Sequence, residues 1–374
     1  MASIKRCREC GVPFSKKDLQ WTPGGVIEQM LPPHQRQVLC ECDFIDPLFA
    51  GISRLLGLPI DHIVIESRRR EVEQYVAARY PASFRKAFKK LNDLADGDRM
   101  WQRAVRNVLS KTGKLFFVRV SDIGRACGFG DILPSELWEE NDRYAYRVNT
   151  IRKPYSLLLY LGETLGSAEP WDLEDMCVDY EKTGDDTYRV MLSPGRHPIE
   201  LADRLQVRKR AYRPGDMVFE LCPGCGLPRI ISHFRWDLKD GVITDPGTGR
   251  RMAIYSPASL EAILEDLEAE LGETLTEAVI TAQRDYVKST YDVRDWKVRG
   301  AEGLKRELAL RGLGNLTTFR EEGGGVEIHI ENACIHPVMV GTAQGFFELA
   351  GELKESSCAW VAAEDGDLKI SLNA

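Results

Sequence analysis

The stretch CRECGVPFSKKDLQWTPGGVIEQ, beginning at Cys7, returns as CPGCGLPRIISHFRWDLKDGVIT, beginning at Cys222. At one constant separation Cys7 stands opposite Cys222, Cys10 opposite Cys225, Gly11 opposite Gly226, Pro13 opposite Pro228 and Trp21 opposite Trp236. One inserted residue then sets Gly25, Val26 and Ile27 against Gly241, Val242 and Ile243. The first register resumes for Arg36 with Arg251, Leu56 with Leu271, Gly57 with Gly272, Ile65 with Ile280 and Arg69 with Arg284. Self-similarity at a fixed period indicates a repeated structural unit, so a tandem duplication is expected.

Working outward, RYAYRVNTIRKPYSLLLYLGE from Arg143 is similar to VEIHIENACIHPVMVGTAQGF from Val326, with Asn149 opposite Asn332 and Pro154 opposite Pro337. MCVDYEKTGDDTYRVMLS, around Cys177, is similar to SCAWVAAEDGDLKISLN, around Cys358. The expected fold class is α+β, each copy holding a small cysteine ribbon, helices and an α/β unit. The expected divisions are 1–45 (metal ribbon), 46–113 (helical), 114–213 (first α/β unit), 214–256 (second, degenerate ribbon), 257–313 (helical) and 314–374 (second α/β unit). The boundary between copies falls at RKRAYRPGD, where Pro214 and Gly215 break regular structure.

Local signals fill in the elements. DPLFAGISRLLG offers Asp46 as a cap, Pro47 at the first helical position and Gly57 as a stop; SPASLEAILEDLEAELG repeats this with Ser256, Pro257 and Gly272. An amphipathic segment follows each. Alternation predicts strands at RYAYRVN, MCVDYEK and DTYRVML in the first copy and at VEIHIEN and DLKISLN in the second, with helices starting at Pro154 and Pro337 and a hairpin loop at Gly323 to Gly325.

CRECG is a zinc-knuckle pattern: two residues between thiols let both sulfurs face one ion, and the glycine permits the tight turn that aims backbone N–H groups at them. A tetrahedral site needs two more soft ligands. Cys40 and Cys42 are the nearest candidates, so Cys7, Cys10, Cys40 and Cys42 are expected to bind one structural zinc. Rubredoxin-like iron is the alternative, disfavoured because Cys-x-Cys lacks the knuckle form. In the second ribbon Cys222 and Cys225 stand without equivalents of Cys40 and Cys42, since Tyr255 and Pro257 occupy those positions. The pair reads as a degenerate ribbon, with a site completed by His233 or Asp245, or a redox dithiol, as alternatives.

Other residues carry blander readings. Cys177 and Cys358 suit a core, Asn149 and Asn332 a turn, and His336 a structural role. No catalytic motif is present, so no catalytic residue is assigned and the enzyme class is left open, leaning against. The 374 residues carry a net charge of -7 with a pI near 5.6, which disfavours nucleic acid as a partner. The basic runs at Arg68–Arg70 and Arg208–Arg210 read as solvated faces. MASIKRCRECG lacks an apolar export region and no stretch is long enough to span a bilayer, so a cytoplasmic protein with reduced thiols and no membrane partner is expected.

VEIHIENACIHPVMVGTAQGFFELAGELKESSCAWVAAEDGDLKISL, with a strand ending at Asn332, small residues Gly341, Gly345 and Gly351 in the helix from Pro337 and a cysteine-bearing strand, resembles the hydrocarbon-binding domain named after bacteriochlorophyll 4-vinyl reductase. Phe116 to Ser193 resembles a more divergent member. The resemblance implies a paired ligand-binding fold, with an apolar or aromatic molecule between helices and sheet, and hence an internal pseudo-dimer; homo-oligomers and a protein partner stay open. The leading expectation is a non-enzymatic zinc-containing small-molecule-binding or regulatory protein. An accessory protein or enzyme of tetrapyrrole or anaerobic aromatic metabolism, and a rubredoxin-like electron carrier, are the alternatives.

Overall fold

The stop signal at Gly57 operates as expected: with φ of 70° it closes helix α1 (Ile45–Leu56). Asp46 is not the cap. Phe44 takes that place, and Asp46 lies in the first turn, where its charge suits the positive helix end. Helix α6 (Pro257–Leu271) has Ser256 at its cap, Pro257 at its first position and Gly272 after its end. The amphipathic segments form α2 (Asp61–Arg79) and α7 (Thr274–Thr290). These elements belong to a computed structural model that describes the chain except residues 1–3, 141, 143, 200–210, 273, 293–299 and 364; the second basic run lies outside the described residues.

The chain forms two compact units. The first comprises Met1–Lys5, Asp61–Leu205 and Arg235–Thr244. Its sheet is built from β4 (Asp131–Pro134), β5 (Val148–Arg152), β6 (Met176–Gly184) and β7 (Thr187–Pro194), antiparallel in the order β4-β5-β7-β6. Helix α5 (Leu157–Asp172) covers it through Tyr160 and Leu161, which meet Ile151 and Val190. The helix starts at Leu157 rather than Pro154, because Ser156 caps it by accepting from the Leu159 amide at 3.3 Å. Helix α3 (Ala82–Leu94) and helix α4 (Met100–Cys127) complete the α-layer, and the hairpin β8 (Arg235–Asp237) and β9 (Val242–Thr244) joins this unit. The boundary expected at residue 113 falls inside α4, where Gly113 faces Trp138: a Cβ there would stand 3.0 Å from the ring.

The second unit comprises Arg6–Ile60, Gln206–Phe234 and Asp245–Ala374. Strands β11 (Asn315–Glu322), β12 (Gly325–Glu331), β13 (Ser357–Ala362) and β14 (Leu368–Asn373) repeat the first sheet's order as β11-β12-β14-β13, covered by helix α9 (His336–Ala350). On β14 Leu368, Ile370 and Leu372 alternate into the core beside Ile328, Ile330 and Val340. Helix α8 (Gly300–Arg311) leads into β11. A second sheet pairs β1 (Leu19–Trp21), β2 (Ile27–Gln29), β3 (Arg36–Glu41) and β10 (Arg251–Tyr255) in that order.

Close helix contacts recur in the two units. Across α2 and α5, a Cβ on Gly162 would come within 2.6 Å of the Ile65 carbonyl oxygen, and one on Gly166 within 2.2 Å of that of Arg69. Across α7 and α9, a Cβ on Gly341 would meet the Ile280 oxygen at 2.5 Å and one on Gly345 the Arg284 oxygen at 3.0 Å. Ile65 and Ile280, and Arg69 and Arg284, are the positions already matched in sequence. The glycines of α9 are therefore used in helix packing, not as a platform for a flat ligand.

The basic run at Arg68–Arg70 is not solvated, for all three side chains are buried. Arg69 bridges Glu66 at 2.6 Å and Glu169 at 2.7 Å, while Arg68 is paired with Glu71 and Glu163. Burial opposes the Arg69 charge, but the bonds and charges of Glu66 and Glu169 outweigh it and hold the guanidinium protonated. Glu169 also accepts from the Met176 amide at 3.0 Å and contacts His197 at 2.6 Å. On α9 fully buried Glu348 accepts from the Ser356 amide at 2.9 Å and pairs with Lys288 at 2.5 Å. In each unit a helix carboxylate thus anchors the backbone that enters the next strand.

Each ribbon turn docks on an α/β unit remote from it in sequence. In the second unit the Gly25 carbonyl accepts from the Gly314 amide at 3.0 Å, and Arg36 donates to the Gly312 and Asn332 carbonyls at 2.6 and 2.7 Å. In the first unit the Gly241 carbonyl accepts from the Gly130 amide at 2.9 Å. Asn332, with φ of 55°, holds the first ribbon by donating to the Gly24 carbonyl at 2.9 Å. Asn149 does not match it: it lies within β5, accepting from the Tyr160 hydroxyl at 2.6 Å, whereas the positive φ at the end of β5 belongs to Lys153.

Candidate metal centre

Both CxxCG segments fold alike. In the first, the Gly11 amide donates to the Cys7 carbonyl at 2.9 Å and the Cys7 amide to the Val12 carbonyl at 2.9 Å. In the second, the Gly226 amide donates to the Cys222 carbonyl and the Cys222 amide to the Leu227 carbonyl, both at 2.8 Å. Gly11 and Gly226 have φ of 74° and 77°, a left-handed turn that disfavours any side chain. Each turn leaves its two sulfurs on one side of the loop, and the Lys16 amide donates to the Cys225 carbonyl at 2.9 Å to join the loops.

The result is one four-thiol cluster of Cys7, Cys10, Cys222 and Cys225, whose sulfurs lie within 4.8 Å of one another. Cys7 and Cys10 are ligand candidates, but their partners are Cys222 and Cys225 instead of Cys40 and Cys42. Cys222 and Cys225 accordingly belong to this four-thiol group, and among the described residues His233 and Asp245 take no part in it. Asp245 accepts from the Gly247 amide at 2.9 Å within its own turn.

Cys40 and Cys42 are diverted by sheet pairing. In the β3–β10 register Cys40 stands opposite Ala253 and Leu39 opposite Ile254, which buries both thiols. The Cys42 thiol donates to the Arg251 carbonyl at 3.7 Å, and burial pushes it up to about 12; burial raises the Cys40 thiol further still. Neighbouring Glu41 is occupied by Arg250 at 2.9 Å and by the Tyr286 hydroxyl at 3.3 Å, and Arg250 lies 3.5 Å from the centre of the Tyr291 ring. Two neutral, buried thiols in this setting are core side chains.

Two of the sulfur–sulfur distances are those a tetrahedral ion requires. Zn–S bonds of about 2.3 Å at tetrahedral angles place sulfurs about 3.8 Å apart, and Cys7 to Cys222 measures 3.8 Å and Cys10 to Cys225 3.6 Å. These spacings are far beyond a disulfide bond of about 2.05 Å. The backbone N–H groups of Cys225 and Gly224 hold the Cys222 thiol below its ordinary value, at about 7. Burial pushes Cys10 up to about 12 and also raises Cys225. Each close sulfur pair joins positions 215 residues apart, as does the Leu39–Ile254 pair of the sheet. Such residue-to-equivalent contact is what a local two-fold axis produces.

The group could therefore hold one metal ion, with Cys7, Cys10, Cys222 and Cys225 as its ligands. Four thiolates close the coordination sphere and leave no position for water or substrate, so the centre has a structural or electron-carrying capacity and no Lewis-acid one. Comparison with known proteins found no matching family model, no matching curated protein and no matching solved structure.

Proposed function

We propose that the chain is a tandem duplication whose two ribbons are held together by one structural zinc, and that it is a non-enzymatic binding or regulatory protein. The observation that carries this reading is the closed set of four thiols drawn equally from the two knuckles. In the chain's sequence the two pairs are far apart, so the ion converts two loops that each bury few side chains into one stable element. A ribbon of this size has too small a core to persist unaided, and metal binding supplies its folding free energy. The proposed ligand is a small apolar or aromatic molecule. That assignment rests on the resemblance of the α/β units to the hydrocarbon-binding domain, and their common strand order is compatible with it.

Iron is the second reading, and one finding favours it. Zinc was preferred because the second cysteine pair lacked the knuckle form; both pairs are knuckles, and a tetrahedral four-sulfur site suits zinc or iron alike. Absorption spectroscopy with elemental analysis of protein purified without added metal separates them. Zinc predicts one ion per chain and no visible band. A red protein that bleaches on reduction would replace the structural reading by electron transfer.

A further inference from the structure

Helix α4 is amphipathic in the reverse of the usual sense. Its inward face presents small residues, with Ser110, Ser121 and Gly124 buried, while large apolar residues point out. Trp101, Val108, Leu115 and Ile123 fall within an arc of about 80° at 100° per residue. Leu115 is 73% exposed and Val108 64%. Helix α3 buries no residue, and its Phe84 and Leu91 are exposed one heptad apart. The two surfaces adjoin, because Phe84 of α3 and Phe116 of α4 pack on one residue, Trp171, with ring centres 6.1 and 6.0 Å away. An apolar surface of this extent is uncommon without an occupant.

Charge identifies the occupant. From Ala82 to Cys127 there are eleven Lys and Arg against four Asp and Glu, a net of +7 in a chain whose total is -7. Lys86, Lys90, Lys111 and Arg119 are exposed on these helices among the apolar residues. We infer that the α3–α4 surface docks on an anionic lipid bilayer, with the aromatic and aliphatic side chains at headgroup depth and the basic ones on acidic headgroups. No helix of the described residues is long and apolar enough to cross a membrane, so the contact is peripheral. Pairing of two copies through this face would bring two basic surfaces together. Nucleic acid would satisfy the cations but leave Leu91, Val108, Leu115 and Ile123 without a partner, whereas acyl chains accept them. The inference is independent of the metal centre.

Sedimentation of the full metal-loaded chain with vesicles tests it, using phosphatidylcholine alone and phosphatidylcholine containing about 30% phosphatidylserine. Binding is expected to be about tenfold or more tighter to the anionic vesicles and to weaken as salt rises, since the Debye length shortens from about 10 Å at 0.1 M to about 3 Å at 1 M. The variant Lys86→Glu/Lys90→Glu/Lys111→Glu/Arg119→Glu is expected to lose about 100-fold, and Trp101→Ser/Leu115→Ser to lose binding at low salt too. Unchanged helical circular dichroism and metal content show that the variants are folded. Equal affinity for the two vesicle types, absence of binding to both, a dimer lost in the Trp101→Ser/Leu115→Ser variant, or capture of single-stranded DNA in preference to vesicles would each overturn the inference.

Discussion

Cys225→Ser is expected to lower metal affinity by more than about 100-fold, the upper end of what losing even an outer-shell partner costs, and to unfold both ribbon ends together. Cys7→Ser, in the other knuckle, should do the same, because each pair is half of one site. Cys40→Ala and Cys42→Ala should leave the metal in place and cost about 1 kcal/mol of stability, the ordinary price of a small core truncation. Metal content and thermal unfolding of the four variants decide the matter. Acidification should act in the same direction as the knuckle substitutions. Cys10 and Cys225 are raised by burial and carry protons at neutral pH in the metal-free chain. Binding must expel those protons, so affinity falls as pH falls, by about 100-fold per unit for two protons. A pH-independent affinity would mean that these thiols are not ligands.

Arg69→Met should be the most damaging substitution outside the ribbons. It keeps an unbranched apolar stem and removes the charge that neutralises Glu66 and Glu169, both buried. Deleting one partner of a buried pair costs about 3–5 kcal/mol, since the carboxylates left behind stay buried without the guanidinium that balances their charge. Urea unfolding should show a lower midpoint with an unchanged slope. A loss below about 1 kcal/mol would place the pair among exposed bridges, which it does not resemble.

The local parts of this architecture were legible from residues close in sequence. Gly57 and Gly272 end their helices, Pro257 begins one, and β14 shows the two-residue alternation of a half-buried strand. Both knuckles were legible for the same reason, since each is closed by bonds spanning five residues. What could not be read was which pairs share an ion. Cys40 and Cys42 are nearer to Cys10 along the chain, but proximity in sequence says nothing of a contact between residues 215 apart. The signal that could have found it was present: two incomplete half-sites of one form add up to one complete site. The burial of Arg68–Arg70 was hidden likewise, because their carboxylate partners Glu163 and Glu169 come from a helix about a hundred residues on. In α4, Gly113 looked like a boundary, whereas the Trp138 ring packs over it and the helix continues.

The exchange of ribbon turns between α/β units ties these features into one account. Gly25 meets Gly314, and Gly241 meets Gly130, each through a single backbone bond too weak to hold a ribbon by itself. A metal at the paired knuckles would supply what those bonds lack. The most direct test is X-ray absorption at the metal edge of the purified chain, with the metal-to-protein ratio measured on the same sample. One ion per chain surrounded by four sulfurs at about 2.3 Å is the predicted result. A mixed sulfur and nitrogen shell, two ions per chain or no bound metal would contradict the paired-knuckle centre.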